Sequence, residues 1–181
     1  MNTKNLRQLL GAFQAAKRTA SEASSQVGGI HRTAQELTHQ LSGRLVPASV
    51  ADVPGQLDAF MRQAKAGGNW FNQAMALREE MITAQAAARK AREAAGRAEA
   101  ALEQEVKRFN DERLQALQSE RANAVKRLVK FLLPYCAGQE AKAAEMACQC
   151  PKVICLDFEI SNAAVPLAAE LMAGRFLSVN H

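Results

Sequence analysis

From Asn69 to Leu133 the chain holds no proline and a single glycine, Gly96, and this interval constrains the fold more than any other feature. Within it Leu77, Met81, Ala84, Ala88, Ala91, Ala95, Ala98, Leu102, Val106 and Phe109 follow one another at steps of three and four. Such steps place apolar side chains on one narrow stripe of an α-helix, the seam by which helices pack in coiled coils. One unbroken helix over these residues would be about 98 Å long at 1.5 Å per residue, or two helices joined by a tight bend. The middle of the seam is all alanine, which permits close approach but buries little, so bulkier ends and further helices must supply stability.

A second seam opens the chain. Leu6, Leu10, Phe13, Ala16, Ala20, Ala23, Val27, Ile30, Ala34, Leu37 and Leu41 repeat the same steps, with Gly28 and Gly29 inside them. Each glycine costs about 1 kcal/mol relative to alanine in a helix, so a weakening or bend is expected there. Pro47, Pro54 and Gly55 are expected to form a loop, Gln56 to Lys65 a short helix, and Gly67 and Gly68 a turn or hinge with Asn69 as N-cap. "QEAKAAEMA" is expected to resume helix briefly after Pro134 and Gly138. The tail departs from this grammar: "PKVICLDFEI" reads as β-rich, and a short amphipathic helix is expected after Pro166. The organisation expected is therefore a first helix over 1–44, a loop and short helix over 45–68, a long helix or helix pair with a short extension over 69–147, and an atypical, poorly ordered tail over 148–181. Aromatic residues at 5% leave little bulk for a globular core although 48% of the chain is hydrophobic. The fold class read from this is all-α, an elongated helical coiled coil with an irregular C-terminal tail.

The formal charge is +5. Its excess lies on the helical part: residues 1–77 carry eight Lys/Arg against four Asp/Glu, 78–130 twelve against nine, and 131–181 three against five. A modest excess of this kind suits acidic partners, but it equally describes a solvated helix face, and pairs such as Glu93 with Arg97 and Glu103 with Lys107 at i, i+4 would hold part of it. Without an aromatic stacking platform or a groove-reading motif, nucleic acid is not expected as a partner.

Catalytic signals are lacking. The sequence contains no phosphate loop, no Gly-x-Gly-x-x-Gly, no Gly-x-Ser-x-Gly and no His-Glu-x-x-His, and His31 and His39 stand about two helical turns apart, too far to chelate together. Cys136, Cys148, Cys150 and Cys155 lack the second ligand pair of a structural zinc site; buried or idle thiols are the expected reading over zinc, with His181 as the other conceivable ligand. No enzyme, cofactor or metal is expected. Trp70 and Phe71 are expected to pack beneath the hinge, in preference to forming a lipid-entering wedge. No apolar run approaches the roughly 20 residues of a spanning helix. With no secretory signal the thiols are expected to be reduced and the location cytoplasmic; a mitochondrial location is the alternative, because the first 21 residues hold Lys4, Arg7, Lys17 and Arg18 and no acid.

At "EQEVKRFNDERLQALQSERANAVKRLVKFLLPY" the sequence resembles the last long helix of sorting-nexin-type BAR domains, with Arg108, Phe109, Glu112 and Arg113 at its Arg-Phe-x-x-Glu-Arg core and the helix from about Leu77 similar to the preceding coiled coil. The resemblance is to a shortened or divergent member without a phox-type domain. It implies a three-helix antiparallel coiled coil that forms a homo- or heterodimer and lies peripherally on endosomal membrane in curvature and cargo sorting, bound to anionic phospholipid and to retromer-type partners. Under it, Arg89, Lys90, Arg92, Arg97, Lys107, Arg108 and Arg113 would meet lipid, and Leu102, Val106, Phe109, Leu117, Val125, Leu128 and Leu132 would form the coiled-coil or dimer seam. The alternative is a cytosolic coiled-coil scaffold or assembly subunit without membrane contact, its charges serving solubility and partner choice.

Overall fold

The computed structural model describes residues 3–42, 53–63, 69–165 and 167–178. All the regular structure among them is helical: α1 (Lys4–Ser42), α2 (Val53–Gln63), α3 (Asn69–Leu132), a 3-10 turn (Leu133–Cys136), α4 (Glu140–Cys148), α5 (Pro151–Ala163) and α6 (Ala169–Ser178). The all-α class is as expected, and α3 is one unbroken helix of 64 residues. The expected loop about Pro47, the glycine hinge at Gly67 and Gly68, Pro166 and His181 lie outside the described residues. Two compact units divide the chain: an N-terminal unit of Leu9–Ala100, and a C-terminal unit of Ala101–His181 with Met1–Gln8.

In the N-terminal unit the two seams meet. Val27, Ile30, Ala34 and Leu37 of α1 and Ala74, Met81, Ala84 and Ala88 of α3 are buried in one cluster, closed by Val53 and Leu57 of α2. Ser24 meets Arg92, while Leu37 lines a groove with Gln73 and Leu77, so α1 and this part of α3 run in opposite directions. Pro54, expected in a loop, instead lies in the first turn of α2. A first-turn proline lacks only an N–H that the helix would leave unpaired. Trp70 and Phe71 are both half-buried, edge to face with ring centroids 6.4 Å apart.

Gly28 and Gly29 do not interrupt α1. A Cβ built at either position meets nothing within 4 Å. Replacing both by alanine is therefore expected to stabilise the chain by about 1–2 kcal/mol, since helical alanine has the lower conformational cost and no clash offsets it. A rise in the urea midpoint at unchanged slope is the expected observation; a fall would show that something else occupies that face.

The C-terminal unit gathers Leu6 of α1 with Leu102, Val106 and Phe109 of α3, all buried, and Phe176 of α6 lies against Phe109 with centroids 5.8 Å apart. Glu105 is the buried charged side chain among the described residues. Its carboxylate accepts from Asn5 Nδ2 at 3.0 Å and Arg108 Nη2 at 2.7 Å, which offsets the cost of removing it from water and ties the first turn of α1 to α3. After α3 the 3-10 turn reverses the chain through two left-handed residues, Ala137 at φ 50° and Gly138 at φ 78°. Gly138 N–H donates to the Leu133 carbonyl at 3.1 Å and Gln139 N–H to that of Cys136 at 3.0 Å.

The expectations of a β-rich stretch at "PKVICLDFEI" and of an irregular tail over 148–181 are corrected: among the described residues α5 and α6 occupy the tail. Pro151 sits at the start of α5 behind an extended Cys150, and Val153, Leu156 and Ala163 are buried along one side of the helix. The β-branched residues that suggest strand are carried as helix because burial of this face outweighs intrinsic propensities that differ by well under 1 kcal/mol per residue. The short helix expected beyond Pro166 is present as α6.

Candidate functional site

The cations assigned by resemblance divide between the units. In the N-terminal unit Arg89 donates to Glu93 at 3.1 Å and Arg92 to Ser24 Oγ at 3.3 Å, while Lys90 and Arg97 are exposed without an ion pair among the described residues. In the C-terminal unit Arg108 is held by Glu105 and, at 3.7 Å, by Glu112, with its guanidinium 5.4 Å from the Phe109 ring centre. Lys107 is exposed and Arg113 half-buried. Within each unit, therefore, part of the set is already engaged by the chain's own groups. The seam assigned by resemblance likewise divides. Leu102, Val106 and Phe109 are buried inside the chain itself, whereas Leu117, Val125, Leu128 and Leu132 are half-buried.

A denser basic surface lies at the C-terminal end of α3. Arg121 to Gln139 contains four cations, Arg121, Lys126, Arg127 and Lys130, and no carboxylate. Arg121 is engaged in holding the fold together, because its Nε and Nη2 bind the two carboxylate oxygens of Asp157 on α5, the latter at 3.2 Å. That bidentate contact, chiefly its hydrogen bond and then its charge attraction, raises the Arg121 pKa above its ordinary value. Glu120, the nearest preceding acid, stands 3.9 Å from Lys152 of α5. Asp157 is thus taken by Arg121 and Glu120 faces α5, and among the described residues Lys126, Arg127 and Lys130 have no ion pair.

Beside these cations stand two exposed aromatic rings. Phe131 is 66% exposed and Tyr135 76% exposed, their centroids 5.8 Å apart. Lys126 with Lys130 and Arg127 with Phe131 are i, i+4 neighbours, so the helix itself sets cations and ring side by side. The buried stripe does not include these positions because Val125, Leu128, Val129 and Leu132 point the other way around the helix and are the partly covered ones. Arg127 also lines a groove of about 760 Å³ between α3 and the start of α5, with Ala124 and Leu128 on the α3 side and Pro151 on the other. A helix C-terminus attracts cations by its dipole, but that effect is confined to the last turn, which holds only Lys130.

No group of three or more His, Cys, Asp or Glu side chains gathers among the described residues, and no described helix is long and apolar enough to cross a membrane. The four cysteines are unbridged, Cys136 buried and Cys148 and Cys155 exposed. No family model, curated protein or solved structure matches the chain. Its functional reading accordingly rests on these residues.

Proposed function

We propose that this chain is a non-enzymatic helical protein that binds peripherally to anionic membrane surfaces, and that its lipid contact is the C-terminal end of α3. The observation that supports this reading is the juxtaposition of Lys126, Arg127 and Lys130, without an ion pair among the described residues, with the exposed rings of Phe131 and Tyr135. Aromatic rings favour the headgroup region, and each cation near an anionic surface contributes about 1 kcal/mol. The two together describe an amphipathic contact that lies on a bilayer without crossing it. Arg89 and Arg108, by contrast, would have to leave carboxylates they already hold.

Co-sedimentation with phosphatidylcholine vesicles, with and without phosphatidylserine, tests the reading. The chain is expected to bind only the anionic vesicles and to be released by high salt. Lys126→Glu with Lys130→Glu removes about 2 kcal/mol of attraction before repulsion is counted, so affinity is expected to fall roughly thirtyfold. The triple reversal Arg89→Glu, Lys90→Glu and Arg97→Glu should change it by about twofold or less, a reduction consistent with long-range screening. Equal losses in both variants would move the contact to the middle of α3. Absence of binding at low salt would leave the second reading, a protein-assembly scaffold, which the exposed apolar side chains of α5 favour on separate grounds.

A further inference from the structure

On α5 the inner side is spent on the unit's own core, and the outer side carries an apolar row. Ile154 is 54% exposed and Phe158 68% exposed, with exposed Cys155 between them and exposed Pro151 and Asn162 continuing the line. Isolated exposed apolar side chains are ordinary; several aligned on one helix face mark a surface that another molecule covers. We infer that this face binds a second copy of the same chain, α5 against α5 in antiparallel orientation.

The charges flanking the row argue for a copy of itself. Lys152 and Glu159 are seven residues apart and therefore on the same flank of the helix, one heptad from each other. Reading Pro151, Cys155, Phe158 and Asn162 as the core positions of a short coiled coil puts both charges at the same flanking position. In an antiparallel pair that layers Cys155 of each copy on Phe158 of the other, this flanking position faces its own equivalent across the two-fold axis. Lys152 of each copy then lies opposite Glu159 of the other, so one register satisfies the apolar layer and two ion pairs together. Such isologous self-complementarity is what a closed dimer requires. Glu159 has no ion pair among the described residues, and the Lys152–Glu120 pair is long, at 3.9 Å, with both side chains more than half exposed, so Glu159 of a second copy can compete for Lys152 at little cost. Asp157, the remaining acid of α5, is turned to Arg121 and stays out of the interface. A face one short helix long lies at the small end of specific interfaces, so the dimer is expected to be reversible and weak. The inference stands on α5 alone and does not depend on lipid binding by α3.

Charge exchange tests it on the whole 181-residue chain. Sedimentation equilibrium at concentrations spanning the micromolar range is expected to show a monomer–dimer equilibrium for the parent. Lys152→Glu alone or Glu159→Lys alone should weaken it about tenfold by setting like charges opposite one another, and the double variant should restore it. As a second readout, in a background with Cys148→Ser and Cys150→Ser, a short bis-maleimide should link two chains through Cys155, and Phe158→Glu should abolish the link. A parent that stays monomeric across that range, or a dimer that survives Phe158→Glu, would overturn the inference. So would a double charge exchange that fails to restore association while each variant keeps the parent's helical circular dichroism.

Discussion

Phe109→Ala is expected to cost the chain about 3–5 kcal/mol, enough to consume a large part of the stability of an ordinary domain. Phe109 is 1% exposed and among the largest fully buried side chains described. Truncation deletes the whole ring from the C-terminal unit, where it lies between α3 and α6. It also removes the tilted contact with Phe176 and the surface over which the Arg108 guanidinium sits, so that more than transfer free energy is lost. Urea unfolding followed by far-UV circular dichroism measures the effect. Phe109→Leu should recover more than half of it, because most of the volume is kept. A double cycle with Phe176→Ala should show a coupling of about 0.5–1.5 kcal/mol between the rings, the range measured for aromatic pairs. A loss below about 1 kcal/mol for Phe109→Ala would mean that α6 does not cover this position.

Phe109 is also the easiest residue to place from sequence, for a physical reason. Met81, Ala84, Ala88, Leu102, Val106 and Phe109 keep a helical period over more than seven turns, and the structure buries all six. The α1 seam is legible in the same way at Leu6, Phe13, Val27, Ile30, Ala34 and Leu37. What cannot be read is whatever depends on which distant residue arrives. Glu105 lies beside the seam as one more glutamate among several, and only the approach of Asn5, 100 residues away in sequence, makes it a buried acceptor. In α5, the exposed Ile154 and Phe158 obscure the period of Val153, Leu156 and Ala163, so the stretch reads as strand where it is helical. The patch at the end of α3 is half visible. The run without acids from Arg121 to Gln139 is in the sequence, but the exposure of Phe131 and Tyr135 depends on which side of the helix the rest of the unit covers.

The lipid and dimer readings draw on different helices of the C-terminal unit and reinforce each other. A weak contact through Lys126, Arg127 and Lys130 becomes a firm one when two copies present it together, since the second engagement occurs at high effective concentration. The charge exchange on α5 should therefore modulate vesicle binding of the intact chain in step with its dimerisation, while reversals on α3 should leave dimerisation in solution unchanged.

The alanine seam yields the other large effect. Ala84→Leu together with Ala88→Leu is expected to destabilise the chain by about 2–6 kcal/mol, although leucine is nearly as good a helix former and more apolar. Ala84 is 5% exposed and Ala88 3% exposed, and both lie in the cluster that contains Val27, Ile30 and Ala34 of α1. Small side chains there let the two helix backbones approach closely; three extra carbons at each site must displace α1 or adopt strained rotamers. Ala86→Leu with Ala87→Leu serves as the control, because both positions are exposed on the same turn of α3 and should change stability by no more than about 0.5 kcal/mol. Trp70, in the same unit, reports the transition by fluorescence during urea unfolding. If the leucines at 84 and 88 stabilise the protein, the seam has room to spare, and alanine serves there for helix propensity alone. If they destabilise it while the control does not, close packing of α1 on α3 is what the alanines are for.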